Sequence, residues 1–170
     1  MKNIMLIGFM GVGKTTIARA LAKRLNRPYI DTDEAIEKEL KLPTTEIFQK
    51  YGESYFREKE REYILQLTKE EGKVVSLGGG AFLQEAIRKA CMEHCIVVYL
   101  EPSWETWRKR IDLLRPTRPI LQKKSEEEIR VLFEERKPYY QYHHIKIRTD
   151  DKTPEKIAKE IDDALTCMEK

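Results

Sequence analysis

Gly8-Phe9-Met10-Gly11-Val12-Gly13-Lys14-Thr15 is the stretch on which the reading of this chain turns. It fits G-x-x-x-x-G-K-[ST]. The apolar run Ile4–Ile7 precedes it, and a helical pattern with Ile17, Ala18, Leu21, Ala22 and Leu25 on one face follows. A strand therefore feeds the loop and a helix leaves it. Its glycines open backbone conformations closed to residues with a Cβ, so successive N–H groups can converge on phosphate oxygens at the helix N-terminus. In that arrangement Lys14 reaches the outer phosphates and the Thr15 hydroxyl is placed to ligate Mg²⁺. The plain alternative is a glycine-rich turn with a chance Gly-Lys-Thr, and the strand–loop–helix setting argues against it.

A chain of 170 residues is long enough for one α/β domain with a substantial core. The 32 basic and 29 acidic residues leave a net charge of +3, without the global field of a dedicated nucleic-acid binder. Small anionic substrates remain compatible. Cys91, Cys95 and Cys167 are odd in number and lack C-x-x-C spacing, which suits packed thiols in a reducing cytosol better than a disulfide framework or a zinc site. The apolar N-terminal run breaks at Gly8 and has no cleavage-site pattern. It reads as a buried strand, so a soluble, cytoplasmic protein without membrane attachment is expected.

Further along, Tyr29-Ile30-Asp31 reads as a short second strand, 34–41 and 44–51 as short helices with Thr44 or Thr45 capping the second, and 54–71 as a longer charged helix. The stripe of the 44–51 helix is Ile47, Phe48 and Tyr51. Val74–Leu77 is a buried strand, 83–91 helical, and Cys95–Leu100 the clearest strand of all. A helix is expected from Pro102 to Arg110. Residues 112–124 show neither period and read as an exposed basic loop. Ser125-Glu126-Glu127-Glu128 resembles a capping box that starts a helix to about Tyr140. His144–Arg148 is a last strand, and Pro154 opens a terminal helix with Ile157, Ile161, Leu165 and Met168 inward. Strands alternating with helices imply a mostly parallel sheet covered on both faces, with ligands at the carboxyl edge. The phosphate loop, Asp31-Thr32-Asp33 and Gly78-Gly79-Gly80 all follow strands and should line one crevice.

At that edge a carboxylate beside the phosphate loop can hold Mg²⁺ or its waters, and one two residues on can meet an acceptor. Asp31 and Asp33 have this spacing, although capping of the next helix is the ordinary job for either. Three consecutive glycines are entropically costly to order, so Gly78, Gly79 and Gly80 point to close approach by a ligand more than to a loose turn. Arg136 continues the inward stripe Ile129, Leu132 and Phe133, which turns its guanidinium toward a cleft. Arg57 is balanced between that role and a surface ion pair with Glu60. Two arginines in one pocket suit a substrate carboxylate. Arg115 and Arg118 fit a mobile loop that closes over a nucleotide, or are simply solvated. Trp104 and Trp107 read as core or subunit contact, and His94, His143 and His144 as structural.

Taken together, these residues resemble the shikimate kinases, small P-loop kinases of the nucleotide-kinase type. The resemblance rests on Gly8–Thr15, Asp31-Thr32-Asp33, Phe56-Arg57 with Glu60, Gly78-Gly79-Gly80, Arg118-Pro119-Ile120-Leu121, and Arg136 before Pro138-Tyr139. It implies a three-layer α/β/α fold with a five-stranded parallel sheet in order 2-3-1-4-5. It also implies a single P-loop kinase domain over 1–170, a substrate-binding excursion at about 32–61 and a lid at about 112–124. The implied activity is ATP-dependent phosphorylation of the shikimate 3-hydroxyl, with Mg²⁺ as cofactor. By the same resemblance Gly11, Val12, Gly13, Lys14, Thr15, Thr16, Arg110, Arg118 and Lys152 bind the nucleotide, and Thr15 and Asp31 serve the metal. Asp33, Arg57, Gly78, Gly79, Gly80 and Arg136 bind shikimate, with Lys14, Asp33 and Arg118 catalytic. The lid departs from the family's usual Arg-Pro-Leu-Leu and is slightly long, so Arg115 competes with Arg118 for the phosphate role. No nucleic acid, no membrane and a monomer are expected. A related small-molecule kinase acting on gluconate is the alternative enzyme. A GTPase-like module lacks support, because Asn3 and Asn26 are the only asparagines and form no Asn-Lys-x-Asp.

Overall fold

The computed structural model describes residues 1–170, apart from the side chain of Pro119, so that part of the Arg118-Pro119 motif lies outside the described residues. Five strands, β1 (Ile4–Ile7), β2 (Tyr29–Asp31), β3 (Val74–Ser76), β4 (Ile96–Glu101) and β5 (Ile145–Arg148), form one sheet in the order β2-β3-β1-β4-β5. Every neighbouring pair is parallel, with Ile4 of the central strand opposite both Val74 and Ile96. Helices cover both faces, which gives the three-layer α/β/α architecture that the alternation of elements implies.

Because side chains alternate across a strand, the same strands feed two cores. Ile4, Leu6, Val74, Val98 and Leu100 face α1 (Lys14–Leu25) and α9 (Pro154–Met168), packing with Leu21, Ile157 and Ile161. Met5, Ile7, Val75, Val97 and Tyr99 face the opposite layer of α4 (Glu53–Leu67), α5 (Glu85–His94) and α8 (Glu126–Arg136). A third, small cluster of Ile36, Ile47 and Phe56 ties together α2 (Thr32–Leu40), α3 (Thr44–Tyr51) and the start of α4. That cluster makes the long connection between β2 and β3 an ordered substructure.

Several local readings are corrected. The segment after β4 is broken into a four-residue helix α6 (Trp104–Trp107), a 3₁₀ turn Arg108–Arg110 and another four-residue helix α7 (Ile111–Leu114). Residues 112–124 are accordingly no structureless loop. Turns at Arg115–Thr117 and Pro119–Leu121 follow α7, and Leu121 is fully buried. Helix α8 has the capping box at Ser125 and Glu128 but ends at Arg136; Pro138 then lies in a tighter 3₁₀ turn through Gln141. Helix α3 takes no cap from Thr44 or Thr45. Pro43 occupies the cap position, and Glu37 accepts from the Thr44 N–H instead. Tyr51 and Cys167 are exposed, and Met168 is 50% exposed in the last turn of α9, beyond the sheet against which its stripe packs.

The α1–α9 layer yields a stability contrast. Ile161→Ala should cost about 2–5 kcal/mol of unfolding free energy, because Ile161 is fully enclosed, whereas Met168→Ala should stay within about 0.5 kcal/mol. Urea unfolding followed by circular dichroism reads both, and equal losses would contradict the packing described.

Candidate active site

Gly13 caps α1 with φ at 95°, in the left-handed region that a residue without a Cβ enters at little cost. It thereby turns the loop into the helix, and the first N–H groups of α1 face the crevice. Lys14 Nζ donates to the carbonyls of Gly8 (2.9 Å) and Phe9 (3.1 Å), so the ammonium arches over its own loop. Behind the loop the Trp107 indole N–H donates to the Met10 carbonyl at 2.7 Å. Trp107 is thus core, as its sequence position implies, and also a strut for the loop.

The Thr15 hydroxyl donates to Asp31 Oδ2 at 2.7 Å, while Asp31 Oδ1 accepts from the Glu34 N–H and caps α2. The capping role and the role beside the phosphate loop therefore coexist in one carboxylate, one oxygen for each. Asp33 has turned inward. A Cβ on Gly78 would lie 2.5 Å from Asp33 Oδ1 and 3.0 Å from Glu60 Oε2, and a Cβ on Gly80 would lie 2.5 Å from an Arg57 nitrogen. These glycines are what admit two carboxylates and a guanidinium to the end of β3.

Arg57 donates to Glu60 Oε1 at 2.8 Å, and Glu60 is fully buried, so this is no surface ion pair. Gln84 donates to the same Glu60 oxygen and to the Arg57 carbonyl. Asp33, Arg57, Glu60, Arg136, Arg118 and Phe56 line one pocket. Four buried polar atoms there have no partner among the described residues: Asp33 Oδ1, Glu60 Oε2, Arg118 Nε and Arg136 Nε. Buried groups of this kind are ordinarily paired, so four around one cavity mark the place where a polar molecule completes the set.

Electrostatics agree with this geometry. Burial, then Glu60 and Asp31 nearby, raise the Asp33 carboxyl to about 7. Burial, then Arg118, lower the Lys14 ammonium to about 7. Burial also raises the Glu60 carboxyl, against the opposing pull of Arg57 and Gln84.

A second pocket adjoins the phosphate loop and is lined by Gly11, Gly13, Thr16, Trp107, Arg110 and Lys152 among others. Arg110 donates to the Gly11 carbonyl at 2.7 Å. Lys152 has its ammonium on Glu160 and so offers this pocket its stem. A third cleft connects the two and is lined by Lys14, Thr15, Asp31, Asp33, Gly78 and Arg118. Arg118 therefore faces both the phosphate loop and the pocket of Asp33. Arg115 is engaged elsewhere, donating to the carbonyls of Leu121 and Lys124, so it holds the turn together.

Three contributors escaped the sequence reading. Thr32 accepts from the Gly78 N–H (3.1 Å), Gln84 braces Glu60, and the Tyr140 hydroxyl donates to the Gly79 carbonyl (2.9 Å) beside Arg136 (3.1 Å). Tyr140 lies four residues beyond Arg136, the spacing that shares a helix face, and this was the available signal.

The family model described as "Shikimate kinase" matches residues 10–166. A shikimate kinase of Bacillus licheniformis is 51% identical over 158 residues, covering 92% of this chain and 89% of that protein. One of Bacillus subtilis (strain 168) is 50% identical, covering 96% and 89%. Among solved structures, a shikimate kinase from Acinetobacter baumannii in complex with shikimate aligns with a TM-score of 0.92 at 34% identity, over 98% of this chain and 94% of that one. A gluconokinase from Sinorhizobium meliloti reaches a TM-score of 0.58 at 17% identity, over 98% and 93%, a likeness of fold alone.

The Asp33 environment can be tested through stability. Unfolded, this carboxyl ionises near 3.8; folded, near 7. Between those values the folded state keeps a proton that the unfolded state has lost, so this group's contribution falls as pH rises, and the full cost is present above 7. Asp33→Asn should therefore stabilise the protein by on the order of 2–4 kcal/mol at pH 8, with the gain shrinking toward pH 5. Urea midpoints at the two pH values measure it, and a pH-independent gain would contradict the assignment.

Proposed function

This chain belongs to the shikimate kinase family, and we propose that it moves the γ-phosphate of ATP to the 3-hydroxyl of shikimate on the residues just described, giving shikimate 3-phosphate and ADP. The observation that carries the residue assignment is the convergence of unpartnered Asp33, Glu60, Arg118 and Arg136 atoms on one pocket beside the phosphate loop. An acid bearing a carboxylate and ring hydroxyls has the complementary groups. Arg57 and Arg136 hold its carboxylate, two planar forks on one anion. Asp33 accepts a hydrogen bond from the reacting hydroxyl and aims it at the phosphoryl group. Phe48 and Phe56, with ring centroids 5.1 Å apart, wall the apolar side of the excursion over 32–61.

Phosphoryl transfer passes through a loose transition state, so positioning and charge do most of the work. The N–H groups from Gly11 to Thr16 and the Lys14 ammonium hold the phosphates. Their negative charge opposes the burial that lowers Lys14 and keeps it protonated. Arg118, on the lid at 112–124, meets the charge on the transferring group. Arg110 and the Lys152 stem flank the rest of the nucleotide. With its carboxyl near 7, Asp33 is poised to take the hydroxyl proton as the new bond forms.

Thr15 and Asp31 fit a hard cation, offering oxygen donors 2.7 Å apart at the phosphate loop. Thr15 would hold Mg²⁺ directly and Asp31 through its water. The described residues contain no cluster of three His, Cys, Asp or Glu side chains suited to a metal. Bound there, Mg²⁺ would neutralise negative charge on the phosphates. Among the described residues no helix is long and apolar enough to cross a membrane.

Purified protein should consume ATP in a coupled ADP assay with shikimate and Mg²⁺ and not with gluconate; the reverse preference would overturn the reading. In the same assay Arg136→Ala should raise the KM for shikimate about 10- to 100-fold, with little change for ATP, while Lys14→Ala suppresses kcat. Equal losses toward both substrates in Arg136→Ala would make that arginine structural. Because Asp33 works ionised, kcat/KM for shikimate should fall about tenfold per pH unit below about 7. A flat profile from pH 5.5 to 8 would remove Asp33 as the base.

A further inference from the structure

The backbone groups of the Gly78–Gly80 loop can be accounted for one by one. The Gly78 N–H donates to Thr32 Oγ1, and the Gly78 carbonyl accepts from Ala81 N–H at 3.1 Å. The Gly79 carbonyl accepts twice, from the Tyr140 hydroxyl at 2.9 Å and Arg136 Nη1 at 3.1 Å, and the Gly80 carbonyl accepts from Leu83 N–H at 3.3 Å. Two donors are left over. Neither the Gly79 nor the Gly80 N–H donates to any described group, although Gly80 is buried and both glycines line the pocket of Asp33 and Arg136.

The second of these, the Gly80 N–H, depends on how the Gly79 carbonyl is held. A peptide unit is planar, so fixing that carbonyl fixes the Gly80 N–H on its opposite side, and with the Gly78 carbonyl tied to Ala81 the Gly79 N–H is fixed as well. Arg136 is a poor sole anchor, since its guanidinium must also meet a ligand carboxylate. Tyr140 has no such second task. Its ring is buried, stacks on Tyr99 at 5.2 Å, and has its own carbonyl held by His143 Nδ1 at 2.7 Å. Burial raises the phenol to about 12, so the hydroxyl remains a donor throughout the working pH range.

We infer that Tyr140 is a positioning residue for the acceptor: by pinning the Gly79 carbonyl it presents the Gly80 N–H to a ring hydroxyl of the substrate and leaves Arg136 free for the carboxylate. This rests on the functional reading above. Tyr140 touches no substrate atom itself, and a phenylalanine keeps its ring packing while deleting the bond to Gly79.

The test compares Tyr140→Phe with wild type on shikimate, 4-deoxyshikimate and 5-deoxyshikimate, all of which keep the 3-hydroxyl. For shikimate, KM should rise about 5- to 20-fold while kcat and the KM for ATP stay within about twofold. With the analogue that lacks the hydroxyl served by the Gly80 N–H, the KM difference between the two proteins should shrink below about twofold. An equal rise for all three acids, or a matching loss toward ATP, would assign Tyr140 a general packing role and overturn the inference. Wild-type NMR provides a check that needs no variant. The Tyr140 hydroxyl proton should exchange slowly and show a nuclear Overhauser contact to the Gly80 amide, and its absence counts against the pinning. If wild-type protein does not turn over shikimate at all, the functional reading itself fails, and this inference falls with it.

Discussion

Charge kept out of water is the constraint on which this molecule is built. Asp33 and Lys14 sit close enough to the interior that burial moves both toward 7 from opposite directions. An isolated carboxylate or ammonium in such surroundings is costly, and a fold tolerates it only when the rest of the structure is stable enough to hold it. Here the two apolar cores on either face of the sheet supply that stability.

The parallel sheet is what gathers these charges. With all five strands running the same way, the loops after β1, β2 and β3 emerge at one edge, and the register of β1 against β3 brings Gly8–Thr15 alongside Gly78–Gly80. Met10 of the first loop lies within contact distance of a Cβ position on Gly79 of the other. Small changes in one loop therefore reach the other through packed atoms.

Much of this was legible in the sequence because it is local. The strand–loop–helix around Lys14, the aspartates two residues apart after β2, the glycine triplet after β3 and the inward stripe that carries Arg136 each announce themselves within a dozen residues. What escaped depends on partners far along the chain. The order inside 108–121 comes from Arg115 reaching Leu121 and Lys124 and from Leu121 finding the core. The burial of Glu60, which turns an apparent surface pair into part of a site, needs Gln84 from a different element. The exposure of Met168 reflects where the sheet stops, which its helical period cannot report. Tyr140 was hidden for a related reason: its role is fixed by a carbonyl 61 residues away.

The central claim is spatial, that one pocket holds the acceptor's carboxylate at two arginines and its reacting hydroxyl at Asp33, facing the phosphates on Lys14. A crystal structure of the protein with shikimate and ADP measures this directly. It should show the carboxylate bridging Arg57 and Arg136 and the 3-hydroxyl about 2.6–3.0 Å from Asp33, on the side toward the ADP β-phosphate. Shikimate bound with its 3-hydroxyl turned away from Asp33, or outside this pocket, would contradict it.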